Sequence, residues 1–173
     1  MAALPRWGRA ALDGPAALVA HGMTGFTPQS IDVSVAADSR PGRRSTPGVV
    51  VHRPLERGSV VTTSSGLPAV APEVAALRAA QWAVSDKQAA LLLCLSTQQR
   101  IADAQRIRAL WADVQRSPRR GLLGAVITAI SDGVQSLNEL DFAQECRRRR
   151  LPEPTRQSIR RRLRTTCSGR TMS

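Results

Sequence analysis

Aromatic side chains are scarce in this sequence. They make up 3% of the 173 residues, and tyrosine is absent. Proteins that recognise RNA bases commonly stack them on aromatic rings, so the scarcity disfavours a base-stacking RNA-binding protein. The apolar fraction is rich in alanine, which buries little area per residue. The five aromatic residues are therefore predicted to be the large side chains of the core: Trp7, Phe26, Trp82, Trp111 and Phe142.

Cysteine pairs and long apolar runs are also lacking. Cys94, Cys146 and Cys167 are odd in number, widely spaced and without a C-x-x-C pair, which argues against a disulfide framework and a zinc site. Cys94 lies in "ALLLCLS" and is predicted to be a small buried residue. No apolar run is long enough to cross a bilayer, and "MAALPRWGRAALDGP" lacks the apolar region of a signal peptide. We therefore expect a soluble, cytoplasmic protein with no membrane partner.

Lysine is nearly absent, yet the chain is strongly basic. Lys87 is the only lysine, and the net charge of +12 rests on arginine. Residues 141–173 hold ten arginines against three acidic residues, a net of +7, whereas residues 1–140 have a net of +5. The planar guanidinium suits phosphate, so this distribution favours a polyanionic partner such as DNA. A solvated basic tail without a ligand is the alternative.

The apolar pattern changes period near Pro72, and this predicts an α+β fold: a small N-terminal helix/β-hairpin unit followed by a mostly α-helical half. In residues 1–70, "GPAALVAHG" is typical of a short helix. "IDVSV" and "GVVVHR" are β-rich and are predicted to pair as a hairpin across a long basic loop. "SVVTT" and "LPAVAP" predict one or two further strands.

Residues 71–134 carry four helical patterns in succession, separated by short polar breaks. Ser85 is predicted to cap the second of these helices. Ser117 and Pro118 are predicted to be the N-cap and the first residue of the fourth. A fifth helix is predicted to begin at Ser136, in the stretch "SLNELDFAQECRRRRLPEPTRQ".

This fifth predicted helix has a complete structural explanation. Ser136 and Glu139 have the S-x-x-E spacing of a capping box, in which each side chain satisfies a backbone N–H of the other residue. The arginines at 147–150 fall at the C-terminal end, where positive charge complements the helix dipole. Pro152 ends the helix, because the residue before proline is forced out of the α region. On spacing alone, Glu139 is better explained as a cap than as a catalytic residue.

The order of motifs along the chain nevertheless resembles a known family. "GVQSLNELDFAQECRRRRLPEPTRQ" resembles the opening of the endonuclease domain in actinobacterial very-short-patch-repair-like proteins of the PD-(D/E)XK superfamily. "AHGMTGFTP", "IDVSV", "PGVVVHRP", "GLPAVAPEVAAL" and "RRGLL" are similar to the N-terminal region of the same proteins, which is AbiEi-like. The resemblance runs from about residue 7 to about residue 162. It divides the chain into a small α+β AbiEi-like unit (1–70), a helical segment (71–134), and the remnant of a nuclease-like domain opening with a disordered basic tail (135–173).

The acidic residues that the family's chemistry requires do not follow. The resemblance implies an Asp on one strand and a Glu with a nearby Lys, Asp or His on the next, which together bind the metal that activates water. After Glu153 this chain has no acidic residue. We therefore expect a chain that ends before the catalytic strands and has no cofactor, since Mg²⁺ is implied only for a full-length relative. Only Glu139, as the family's helix carboxylate, and Asp141 could match the acidic positions of the family, and no residue is assigned a catalytic role.

Two functions follow from these patterns. The first is a truncated, catalytically inactive endonuclease-like protein that associates non-specifically with DNA through its Arg-rich C-terminus. The second is an AbiEi-type antitoxin-like or transcriptional-regulator-like DNA-binding protein without enzymatic activity. The predicted phosphate contacts are Arg147, Arg148, Arg149, Arg150, Arg156, Arg160, Arg161 and Arg162. Three loop arginines could touch the DNA backbone as a wing, although a solvated loop explains them at least as well: Arg40, Arg43 and Arg44.

The two histidines carry no recognisable catalytic pattern. His21 and His52 could each act as a base, but neither lies near a serine or cysteine in a nucleophile elbow. We expect each to be a hydrogen-bonded structural histidine, beside a helix end and on a strand respectively. "GMTGF" lacks the lysine and spacing of a phosphate-binding loop, so its glycines are predicted to end a helix and turn the chain.

Overall fold

The computed structural model describes residues 10–36, 46–54, 56 and 58–133, which we call the described body. It contains five helices and one five-stranded mixed sheet, and the predicted α+β class is confirmed. The elements, in chain order, are β1 Ala11–Leu12, α1 Gly14–Ala20, β2 Ile31–Ser34, β3 Val49–His52, β4 Val60–Thr62, β5 Pro68–Val70, α2 Pro72–Trp82, α3 Asp86–Gln98, α4 Ala104–Asp113 and α5 Arg120–Ser131.

The sheet has the order β3-β2-β1-β5-β4. β2 and β3 are neighbours, but they run parallel, with Ile31 opposite Val49 and Ser34 opposite His52. The predicted hairpin between them is therefore wrong. A parallel pair needs a crossover of about a dozen residues or more, and the 14 residues between β2 and β3 are enough for one. Loop length alone thus left the strand direction open.

The centre of the sheet is β1, a two-residue strand that pairs antiparallel with β2 and parallel with β5. Its sequence is too short to show any alternation, which is why it was not predicted. The strands predicted in "SVVTT" and "LPAVAP" are present as β4 and β5, which form an antiparallel hairpin. Gly66, with φ of 77°, lies in the turn between them.

Three of the helices begin at polar side chains that accept a backbone N–H. Asp13 caps α1, Ser85 caps α3 as predicted, and Asp103 caps α4. The predicted start of α5 is wrong: it begins at Arg120 after Arg119 adopts the left-handed region, and the Ser117 hydroxyl instead bonds Gln81 and the carbonyl of residue 118. Within the described body no helix is long and apolar enough to cross a membrane. The fifth predicted helix, 136–151, lies outside the described residues.

One hydrophobic core joins the sheet to all five helices. α1 lies against the sheet and packs on α2; α2 contacts α3 and α4, and α5 contacts both of these. α2 presents a run of fully buried alanines, and small side chains allow helices to approach closely. The largest fully buried side chains are aliphatic, whereas Phe26 and Trp111 only pack against the core's margin; the aliphatic set is headed by Leu18, Leu92, Leu93, Ile107, Leu123 and Ile127.

Candidate functional site

Polar side chains converge where β1 ends and α1 begins. Asp13 is completely buried, and its Oδ2 accepts a hydrogen bond from Arg78 Nη1 of α2 at 2.5 Å. Its Oδ1 accepts the Gly14 N–H at 2.7 Å. The second guanidinium nitrogen of Arg78 donates to the backbone carbonyl of Glu56. One buried ion pair therefore ties together the β1–α1 junction, helix α2 and the connection that follows β3.

The ionised state of Asp13 is held against a desolvation cost. Burial raises the pKa of Asp13 above its ordinary value of 3.8, while the Arg78 charge, the Gly14 N–H and the nearby Ser34 hydroxyl act in the opposite direction. Ser34 is fully buried, and its hydroxyl makes no hydrogen bond of good geometry in the described body. A carboxylate in such a place is stable only while its cationic partner remains.

A second polar group lies on the neighbouring strands. His52 Nε2 of β3 is 2.8 Å from Asp32 Oδ1 of β2, and the imidazole stacks on Trp82 with ring centroids 3.6 Å apart and planes 2° from parallel. Trp82 also covers Gly14, where a Cβ would come within 2.8 Å of the indole ring. Gly14 follows Asp13 in the chain, and Trp82 lies one turn beyond Arg78 on α2. The Asp13–Arg78 pair and the Asp32–His52 pair are therefore parts of one connected cluster.

Asp32, His52 and Ser34 have the composition of a catalytic triad, but their arrangement does not support that chemistry. Ser34 and His52 are cross-strand partners, so the residues are close. The serine hydroxyl, however, is fully buried and is not hydrogen-bonded to the imidazole, whereas a nucleophilic serine must reach both its base and a substrate. The cluster is better explained as a set of contacts that joins β1, β2, β3 and α2.

The two histidines and Cys94 have the surroundings that the sequence predicts. His21 lies at the end of α1, and its Nε2 is 2.9 Å from the carbonyl oxygen of Val70. His52 lies on strand β3 and is hydrogen-bonded to Asp32. Both predictions for the histidines are confirmed. Cys94 is buried, as predicted. Among the described residues, no three His, Cys, Asp or Glu side chains come together in a way that could hold a metal ion.

The residues predicted to contact DNA all lie outside the described body. Conversely, sequence reasoning missed the Asp13–Arg78 pair. The local sequence Asp-Gly-Pro is a recognisable helix start, and this signal could have identified Asp13 as a cap. Its ionic partner is 65 residues away, and no spacing rule connects them. The predicted site residues that lie outside the described body are Glu139, Arg40, Arg43, Arg44, Arg147, Arg148, Arg149, Arg150, Arg156, Arg160, Arg161 and Arg162.

The charge of the chain is divided unevenly between the described body and the other residues. The described body holds nine basic and eight acidic residues, whereas the other residues hold 16 basic and five acidic. Half of the arginines of the body are within ion-pair distance of a carboxylate: Arg78 with Asp13, Arg106 with Glu73, Arg108 with Asp132 and Arg119 with Asp86. The positive excess of the protein therefore belongs almost entirely to residues outside the body.

The chain was also compared with known proteins. It matches no protein-family model, no curated protein and no solved structure. The resemblance to very-short-patch-repair-like and AbiEi-like proteins accordingly stays a prediction from motif order.

Proposed function

We propose that this protein binds the phosphate backbone of DNA without sequence specificity and without cleaving it, through the arginines at 147–150, 156 and 160–162. One observation carries the proposal: a net charge of +12, of which +7 belongs to residues 141–173. Phosphate contacts by arginine supply essentially all of the affinity in non-specific DNA binding. They carry no base information, so the expected binding is strong at low salt and indifferent to sequence.

Two features of the described body support this proposal. Its charges nearly cancel and half of its arginines are paired internally, so the body contributes little long-range attraction to a polyanion. Its one triad-like group, Asp32, His52 and Ser34, lacks a reachable nucleophile. The first feature supports attraction by residues outside the body, and the second disfavours catalysis at the triad-like group.

The alternative is a DNA-binding regulator of the AbiEi type, in which the N-terminal unit makes the specific contacts. It rests on the similarity of "IDVSV" and "PGVVVHRP" to that family. A regulator must distinguish one DNA sequence from another by contacts to base edges or by DNA shape. Sequence preference that persists at high salt is therefore the property that separates the two proposals.

The test measures binding of the full chain to fluorescent duplexes of unrelated sequence by anisotropy, over a range of salt from about 50 to about 200 mM. We expect equal affinities for the duplexes and a steep linear decrease of log affinity with log salt. Replacing Arg147, Arg148, Arg149 and Arg150 together by glutamine should weaken binding more than tenfold. It should also reduce the salt slope by about 0.9 for each phosphate that the variant no longer neutralises.

The matched control replaces the same four arginines by lysine, which retains the charge but not the planar fork. This variant should keep most of the salt slope. Binding that prefers one duplex and is unchanged in the glutamine variant would contradict the proposal and favour the regulator. Nicking of the duplex that depends on magnesium and disappears in Glu139→Ala would contradict the absence of cleavage.

A further inference from the structure

Four basic residues of the described body lie on or next to the two turns that one ion pair joins. Arg119 Nε donates to Asp86 Oδ1 at 2.6 Å, and this contact joins the first turn of α3 to the connection between α4 and α5. Lys87 follows Asp86 in that turn, while Arg116 and Arg120 flank Arg119. We call Lys87, Arg116, Arg119 and Arg120 the basic corner.

The basic corner accounts for the whole positive excess of the described body. Asp86 and Asp113 are the acidic residues on the same turns, so the corner carries four basic and two acidic groups, and the rest of the body five basic and six acidic. Asp86 is engaged with Arg119. Lys87 and Arg116 are exposed and make no ion pair with any described residue.

The surroundings of these side chains add to the positive potential. Lys87 is the second residue of α3 and Arg120 the first of α5. Helix N-termini carry partial positive charge and normally attract acidic side chains, so Lys87 and Arg120 add to a positive potential that Asp86 offsets only in part. Arg119 offers no side-chain cap to α5. The corner therefore concentrates positive charge in a way that an anionic partner would relieve.

Arg120 is also held in place before any partner binds. Its guanidinium lies 5.4 Å from the centroid of the Trp111 ring and donates to the carbonyl of Val114. Cation–π stacking fixes the plane of the guanidinium, and a fixed side chain loses less entropy when it binds. A guanidinium fixed beside two exposed cations is suited to a phosphodiester chain.

We propose that the basic corner is a second contact with the phosphate backbone of the same DNA that the C-terminal arginines bind. This inference rests on the proposed function. It assigns to the described body a defined docking face for the nucleic acid: the adjoining N-terminal ends of α3 and α5. The contact adds affinity and orients the body on the duplex, again without reading bases.

The test is Lys87→Gln combined with Arg116→Gln in the full chain, because neither side chain has an ionic partner in the described body whose loss would destabilise the fold. The matched control is Arg106→Gln with Arg108→Gln. These arginines are also exposed, but each lies within 4 Å of a carboxylate, Glu73 or Asp132. They lie in the first half of α4, whereas Arg116, Arg119 and Arg120 follow its last residue and Lys87 belongs to α3. Both double variants remove two positive charges from the described body.

We expect the corner variant to weaken binding of a labelled duplex about tenfold and to reduce the salt slope by nearly 2, since each neutralised phosphate accounts for about 0.9 of that slope. The control variant should change both much less, and melting temperatures should match the wild type. Equal reductions in the two variants, or none in the corner variant, would overturn the inference while the C-terminal contacts stand. If the wild-type chain fails to bind DNA, the proposed function and this inference both fail.

Discussion

The described body and the residues outside it use charge in opposite ways. In the body, nine basic and eight acidic groups nearly cancel, and its most buried ionic pair, Asp13 with Arg78, serves the fold. The residues outside it comprise 16 basic and only five acidic ones, so most of their positive charge is not balanced by acidic residues in that part of the chain. Charges that are satisfied internally contribute to stability, and charges in excess favour an external polyanion. Changes at the buried Asp13–Arg78 pair should therefore alter stability, and changes among the C-terminal arginines or at the basic corner should alter binding.

The strongest test of this division is Asp13→Ala. The substitution leaves Arg78 buried without its carboxylate, and breaking a buried pair in this way costs about 3–5 kcal/mol. Urea unfolding should show a decrease of this size in the unfolding free energy. DNA binding, measured where the variant is still folded, should be nearly unchanged.

Replacing both partners, with Arg78→Met added to Asp13→Ala, provides the control for that experiment. The double variant should recover part of the lost stability, because no uncompensated charge stays buried. A double variant as unstable as the sum of both single variants would show that Asp13 and Arg78 are not energetically coupled.

Gly14→Ala should have the next largest effect. Gly14 has φ of 50°, and a Cβ there would come within 2.8 Å of the Trp82 ring that stacks on His52. The left-handed backbone alone costs a non-glycine residue about 1–2 kcal/mol, and displacement of the indole adds to this. Gly25→Ala is the matched control, because Gly25 also has positive φ, 79°, but has nothing within 4 Å of its Cβ position.

The difference between the two glycine variants isolates the contact with Trp82. Thermal unfolding should show a larger destabilisation for Gly14→Ala, accompanied by a change in tryptophan fluorescence that Gly25→Ala lacks. Equal destabilisation in the two variants would mean that the stack of His52 on Trp82 does not depend on the glycine.

The smallest expected effect is the pH dependence contributed by Asp13. Burial raises the pKa of this carboxyl in the folded state above 3.8, so the folded protein retains a proton that the unfolded chain has released. The part of the stability that comes from this extra bound proton is fully present below pH 3.8 and is lost as the pH rises through the raised pKa.

Urea unfolding from about pH 3.5 to about pH 7 in parallel with Asp13→Asn isolates this contribution, because the other carboxyl groups titrate in both proteins. The unfolding free energy of the wild type relative to the variant should fall as the pH rises. A relative stability that increases with pH would show that the attraction of Arg78 outweighs desolvation.

Particular elements show why prediction from this sequence succeeded or failed. Ser85 was identified as a cap because capping depends on residues three or four positions apart, and the α+β class followed from a change of apolar period. The direction of β3 relative to β2, the existence of β1 and the start of α5 depend on distant contacts, so local patterns could not supply them. The polar cluster was missed for the same reason, since Asp13, Asp32, His52 and Arg78 come from four separate parts of the fold.

By itself, the sequence determined the fold class, the cap of α3 and the amount and location of the arginine excess, because these properties are set by composition and by neighbours along the chain. Only the tertiary structure decided which charges are already satisfied. It paired Arg78 with a carboxylate 65 residues away and joined Arg119 to Asp86, the residue that precedes Lys87 in the first turn of α3. Ionic contacts depend on distance in space, and the packing of helices on the sheet brings these residues together.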